Sequence, residues 1–123
     1  MLFPLTTLLS VISLLAFTGD ASAAGCFGGQ LAPDLAQCYE AIRRGCPTLN
    51  GYYFYGTVTN YCYNDPYGNS IRLIARNWDK QSLTLNDDLC YEQMKIIHAE
   101  CPRGGMIRSG SFDFTFDPNL GPC

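Results

Sequence analysis

The chain of 123 residues is short of positive charge, of histidine and of tryptophan. Eight Lys and Arg stand against 11 Asp and Glu, a formal net charge of -3. With no basic excess to neutralise phosphates, no nucleic acid partner is expected. His98 is the single histidine and no Cys-x-x-Cys pair occurs. Zinc-ligand spacing is therefore missing, and no metal or other cofactor is expected. There is no Gly-x-Ser-x-Gly motif, no Asn-x-Ser/Thr acceptor, no internal repeat and no low-complexity stretch. The length excludes a two-domain enzyme, a dinucleotide-binding fold and a barrel enzyme. Charged residues make up only 15% and hydrophobic ones 47%, a balance that argues against disorder.

What is present begins with an apolar leader. Met1 to Phe17 is apolar apart from Thr6, Thr7, Ser10 and Ser13. Ala21 and Ala23 then fit the small-x-small cleavage rule, so residues 1–23 read as a signal peptide and 24–123 as one domain. No Lys or Arg precedes the apolar run, a departure from the usual leader. The run is short, Pro4 interrupts it and no basic stop-transfer flank follows, so membrane insertion is not expected. The expected location is extracellular. Without Asp20 the domain carries ten acidic groups against eight basic ones, and 14 aromatic residues stay in it once Phe3 and Phe17 are removed.

All seven cysteines, Cys26, Cys38, Cys46, Cys62, Cys90, Cys101 and Cys123, lie after the leader. In an oxidising compartment they form a disulfide framework. Seven is odd, so three bridges leave one thiol free or paired with another chain. Spacing does not give the connectivity. Each bridge stabilises by about 2–4 kcal/mol, which a domain of this size needs.

Pro33-Asp34-Leu35 opens a helical pattern in which Leu35, Cys38, Ile42 and Cys46 share a stripe, ending near Gly45-Cys46-Pro47. A second helix runs from Asp87 to Cys101, capped by Asn86, with Cys90, Met94, Ile97 and Cys101 inside. Tyr52 to Tyr63 reads as one strand bulged at Gly56, with Phe54, Val58 and Cys62 inward and the Tyr/Thr row outward. Asn64 to Asn69 is a turn by composition. Ser70 to Arg76 is a strand with Ile71, Leu73 and Ala75 on one side. Phe112, Phe114 and Phe116 mark the clearest strand, stopped at Asp117-Pro118-Asn119. Short strands are expected at Cys26-Phe27 and Ser82 to Leu85. The fold class is α+β: a disulfide-stapled two-layer sandwich, with an antiparallel sheet of about four strands and two helices on one face. On the outer face Arg72 and Arg76 stand where they pair with Asp113 and Asp117, if their strands are neighbours.

Catalysis finds little support. His98 lies on a helix beside its buried stripe, and Glu40, Glu92 and Glu100 are on helices too. Asp113 and Asp117 are about 13 Å apart along a strand, too far for either glycosidase geometry. Binding fits better. Sugars need aromatic platforms for C–H faces and planar polar groups for hydroxyls, and tyrosine serves both. Tyr53, Tyr55, Tyr61 and Tyr63 on one strand face, Asp65 and Tyr67 in the turn, Arg76, and Trp78 in the following loop form the expected sugar site. Plain strand propensity, or a dimer contact, explains the same row, and Trp78 as a core anchor is the competing role.

The segments Cys26-Phe27-Gly28-Gly29, Leu49-Asn50-Gly51-Tyr52, Cys101-Pro102-Arg103-Gly104-Gly105 and Phe112 to Cys123 resemble the Y-three family of secreted, lectin-like glycan-binding proteins of mushrooms. The likeness spans the whole mature chain in element order and cysteine placement. It implies an α/β sandwich, non-catalytic binding of fucosylated or N-acetylhexosamine-containing glycans, and a homodimer through the sheet. Related endings occur in secreted fungal effectors and killer-toxin-like proteins, which act on a host or competitor protein or membrane. That is the alternative function.

Overall fold

A computed structural model describes residues 25–123. The expected signal peptide lies outside the described residues. Seven strands and two helices follow in the order β1 (Gly25–Cys26), α1 (Leu35–Leu49), β2 (Gly51–Tyr53), β3 (Val58–Asn64), β4 (Ser70–Asn77), β5 (Leu83–Leu85), α2 (Asp87–Glu100), β6 (Gly105–Ser109) and β7 (Phe112–Asn119). The main sheet has five antiparallel strands in the order β1-β6-β7-β4-β3, larger than the four expected, and β2 pairs with β5 separately. The expectation lacked β6. Only Ile107 and Gly105 of its five residues are buried, so it carries almost no hydrophobic alternation to read.

The helices form because their ends are capped and their buried stripes are apolar. Asp34 Oδ1 accepts from Gln37 N–H (3.0 Å) and Asn86 Oδ1 from Leu89 N–H (2.9 Å), each satisfying an amide of a first turn. Pro33 thus precedes the cap rather than sitting in the first turn, and Leu35 is exposed. α1 also runs on through Pro47 to Leu49. Pro47 has no N–H for the Arg43 carbonyl four residues back, and the Tyr91 hydroxyl of α2 donates to that carbonyl instead (3.5 Å).

Both helices lie side by side on one sheet face, α1 against β3 and β4, α2 against β7 and β6. Cys38, Ile42, Met94 and Ile97 from the helices meet Ile71, Leu73, Phe114 and Phe116 from the sheet, all essentially fully buried. Each such side chain contributes about 1.5–3 kcal/mol of transfer free energy. Gly45 allows the close approach. A Cβ there would stand 2.4 Å from Leu73 Cδ1 and 2.9 Å from Tyr61 Cδ2.

The aromatic strand divides. Phe54 to Thr57 is a turn closed by Thr57 N–H to the Phe54 carbonyl (3.0 Å), with Gly56 at φ +82°, so Gly56 turns the chain rather than bulging a strand. Its faces are also the reverse of those expected. In β3, Tyr61 pairs with Leu73 and Tyr63 with Ile71, so both tyrosines share the inner face. Val58 and Phe54 are exposed and Cys62 faces out, because the larger tyrosine rings bury more apolar area. Tyr63 Oη donates to Gln37 Oε1 (2.6 Å), and Tyr53 Oη donates to the Leu49 carbonyl. Burial raises the pKa of both phenols.

Three disulfides join Cys26 to Cys101, Cys46 to Cys90 and Cys62 to Cys123. The first ties β1 to the end of α2, the second joins the helices to each other, and the third fastens the C-terminal tail to β3. Cys38 keeps a free thiol, fully buried rather than available to another chain, and burial pushes its pKa up to about 11. β7 continues past the expected stop, through Pro118 to Asn119. β6 begins only at Gly105, opposite Phe116, and the Pro118 ring occupies the unpaired flank beside Gly104. Gly104, at φ +85°, has no room for a side chain there: a Cβ would lie 2.4 Å from the Phe116 carbonyl oxygen. Among the described residues no helix is long and apolar enough to cross a membrane.

Candidate functional site

The outer sheet face, opposite the helices, is crossed by rows of register-matched side chains. One row runs Val58, Arg76, Asp113, Arg108 over β3, β4, β7 and β6. Asp113 is its centre. Its side chain is 5% exposed and accepts from Arg76 Nη2 (2.5 Å), Arg108 Nε (2.6 Å) and Arg108 Nη2 (3.2 Å). Burial by itself would raise the Asp113 pKa. The hydrogen bonds from Arg108 and then Arg76 outweigh it and hold the carboxyl below its usual value. Of the pairing expected between Arg72 and Arg76 and the aspartates Asp113 and Asp117, one pair forms, Arg76 with Asp113. Arg72, although opposite Asp117, donates to Asn60 Oδ1 instead (3.0 Å).

Trp78 completes the row. The residue is 38% exposed, and the Arg108 guanidinium lies 4.2 Å from the ring centroid, a cation–π contact. The loop carrying Trp78 is held from beneath. Fully buried Asn77 donates through Nδ2 to the carbonyls of Tyr53 (3.1 Å) and Gln81 (2.8 Å), and accepts from Asp79 N–H (2.8 Å). Trp78 N–H donates to the Ser111 carbonyl (3.0 Å), and Ser111 Oγ donates to Asp79 Oδ2 (2.7 Å). That last bond, followed by the one from Gln81 N–H, lowers the Asp79 pKa. An indole on a loop with so many fixed points is pre-positioned rather than folded over on demand. The core-anchor role for Trp78 does not hold.

Two hollows flank the ion row. One, of about 540 Å³, is lined by Gly25, Cys26, Phe27, Met106, Arg108 and Asp113. The other, of about 130 Å³, is lined by Tyr55, Gly56, Arg76, Asn77 and Trp78. An exposed phenol and an exposed indole thus border the same small cleft as a guanidinium.

The eight residues expected to form one sugar site fall into three places. Tyr53, Tyr61 and Tyr63 belong to the core or pack on it, so the outward phenol row does not exist. Asp65 is buried in the β3–β4 turn, where Oδ1 accepts from Tyr67 N–H (2.8 Å) and Asn69 N–H (2.9 Å). Tyr67 is exposed on that turn, at the end of β3 away from the ion row. Tyr55, Arg76 and Trp78 come together. Arg108, Met106 and Phe27 were missed. The first two lie on unread β6, and Phe27 is brought in only by β1–β6 pairing and the Cys26–Cys101 bridge.

No other chemistry presents itself as clearly. His98 packs between the rings of Tyr39 (5.7 Å) and Phe116 (5.5 Å), and burial lowers its pKa. No group of three or more His, Cys, Asp or Glu side chains able to hold a metal occurs among the described residues.

The family model described as glycan binding domain Y3 matches residues 37–123. The chain belongs to the glycan binding domain Y3 family. The Y3 match spans both helices almost entirely, strands β2 to β7, and two of the three bridges whole. It also takes in Tyr55, Arg76, Trp78, Arg108 and Asp113, and leaves out β1 with Phe27. Over residues 37–123 the match bears out the resemblance to a glycan-binding Y3 family, and the protein is a carbohydrate-binding one. A comparison with curated proteins found no match.

Proposed function

We propose that the protein is a secreted lectin that binds fucosylated or N-acetylhexosamine-containing glycans at the outer sheet face around Trp78 and does not cleave them. The observation that carries this reading is the pre-positioned Trp78, facing Tyr55 across a cleft that Arg76 also lines. The two rings offer apolar platforms to a sugar's C–H face, and to the methyl of a 6-deoxy sugar or an acetamido group. Guanidinium N–H groups of Arg76 that Asp113 does not engage are donors for hydroxyls. Asp113 offsets part of the arginine charge, which suits a neutral ligand. The 540 Å³ hollow beyond Arg108 takes further sugars of the same chain.

The same bonds support a non-catalytic reading. Asp113 is occupied by two arginines, and His98 is held between two rings. Secretion is supported by the three bridges, which persist in oxidising compartments. The homodimer fits at β3, a sheet edge whose outer flank has no strand partner among the described residues.

The test is a glycan array with the disulfide-bonded protein, followed by mass analysis of the ligands. Specific binding to fucosylated or N-acetylhexosamine glycans, unchanged in mass and lost in Trp78→Ala, is the expected result. No specific hit, or ligands shortened on recovery, overturns the reading.

A further inference from the structure

A second cavity lies in the opposite layer. The groove between α1 and α2 encloses about 460 Å³ and is lined by Tyr39, Ile42, Arg43, Tyr91 and Lys95. Its size falls in the range of small-ligand clefts, roughly 300–1,000 Å³. Ile42, essentially fully buried, closes its base, and two tyrosines border it.

Both rings are held by identifiable contacts. Tyr39 stands edge-on to His98 at 5.7 Å. The Tyr91 hydroxyl is fixed to the Arg43 carbonyl that Pro47 leaves without its helical partner. The two rings are therefore positioned by contacts within the protein itself.

Its lining carries two cationic side chains and no carboxylate. The protein is net negative, yet a single carboxylate, Glu40, serves both Arg43 and Arg44 (2.6 Å each). That trio carries one net positive charge. Lys95, exposed on α2, adds another, with no ion pair to it among the described residues. An apolar-walled groove with two phenols and an ammonium not held in an ion pair has the chemistry for a sugar ring bearing a carboxylate. The ring's C–H face packs on a tyrosine and the carboxylate accepts from Lys95.

We propose that the α1–α2 groove is a second saccharide site, selective for acidic monosaccharide units. It rests on membership of a glycan-binding family, but not on the Trp78 site. Because the two sites open on opposite layers, one chain bridges two glycans, one neutral and one acidic. Bridging of this kind raises avidity without any new contact.

The experiment is an NMR titration of the disulfide-bonded protein with methyl glucuronide and with the methyl glycoside of N-acetylneuraminic acid. Methyl glucoside, which has a hydroxymethyl group in place of the carboxylate, is the matched control for the glucuronide, and the reduced, carboxylate-free methyl glycoside of N-acetylneuraminic acid is that for the second acid. Expected are saturable shifts at Tyr39, Tyr91 and Lys95 with at least one acid and about tenfold weaker binding of its matched control. Lys95→Gln is expected to lose about tenfold for that acid, and Trp78→Ala to lose nothing. Lys95 is exposed on a helix, so its substitution leaves the fold intact. Absence of shifts with both acids, equal binding of the matched control, or full affinity in Lys95→Gln overturns the second site. Loss in Trp78→Ala instead assigns the acid to the outer face. A failure at Trp78 with the groove intact removes only the outer-face reading.

Discussion

Replacing Asp113 by Asn takes one charge out of the outer face while keeping the shape of the side chain. The carboxylate accepts three hydrogen bonds from two guanidiniums and is itself only 5% exposed, whereas the side chains of Arg76 and Arg108 are 47% and 54% exposed. Charge-assisted hydrogen bonds are worth about 1.5–3 kcal/mol when buried, and exposed ion pairs about 0–1 kcal/mol. Half-exposed arginines rehydrate readily, so the expected loss is about 1–2 kcal/mol. In a domain of this size that lowers Tm by about 4–8 °C for each kcal/mol.

Trp78 is the only tryptophan and carries Arg108 over its ring, so its fluorescence reports the same change locally. Asp113→Asn is expected to shift Trp78 emission in the folded state and to lower the denaturation midpoint. Acid does the same thing reversibly. The Asp113 pKa is lower in the folded than in the unfolded state, so its contribution is full above about pH 4 and is lost as pH falls through the depressed folded value. That acid-dependent part of the stability should vanish in Asp113→Asn. A variant equal in stability to the parent, with unchanged Trp78 emission, would refute the claim that Asp113 organises the face.

Gly45→Ala is expected to destabilise by about 1 kcal/mol. The gain in helix propensity, about 1 kcal/mol, is outweighed by an overpacking cost of about 1–3 kcal/mol, because Leu73 and Tyr61 crowd the new methyl. Chemical denaturation checks it, and a stabilised variant contradicts the close helix–sheet approach. Cys38, with its pKa pushed up to about 11, should resist a thiol reagent at about pH 8 in the native protein. One thiol per chain should appear on denaturation without reductant; two or more, or rapid native labelling, contradicts the bridge pattern. Tyr53→Phe should cost stability without affecting glycan binding, because its hydroxyl serves the Leu49 carbonyl inside the core. Tyr55→Ala should do the opposite, as read by thermal melts and binding isotherms in parallel.

Much of the fold was legible because several elements carry one-sided patterns. Asp34 and Asn86 announce helix starts, and Phe112, Phe114 and Phe116 alternate with polar residues. The Tyr52–Tyr63 stretch is different, since both parities carry apolar side chains. Alternation then shows that a face exists but not which one is buried. The answer lay in hydroxyl partners that alternation does not report, the distant Gln37 for Tyr63 and the Leu49 carbonyl at the end of α1 for Tyr53. Pro47 and Pro118 were read as stops, yet one sits in a helix where Tyr91 takes over its acceptor and the other on a strand flank that β6 leaves unpaired. The site was half legible for the same reason. Arg76 and Trp78 lie close together in the chain and Tyr55 stands in the aromatic stretch, and of the arginines Arg72 and Arg76 set against Asp113 and Asp117 only Arg76 pairs, with Asp113. Arg108 arrives on a strand with almost no hydrophobic signature, so the second guanidinium on Asp113, and the one over Trp78, stayed hidden.

The central claim is that carbohydrate rests on the Trp78 indole. A single indole N–H resonance belongs to this chain, so the direct measurement is to follow it while titrating the strongest hit of the array into isotopically labelled protein. The account predicts that this resonance moves saturably, with the same affinity as overall binding. Tight binding that leaves the indole signal where it was would contradict it.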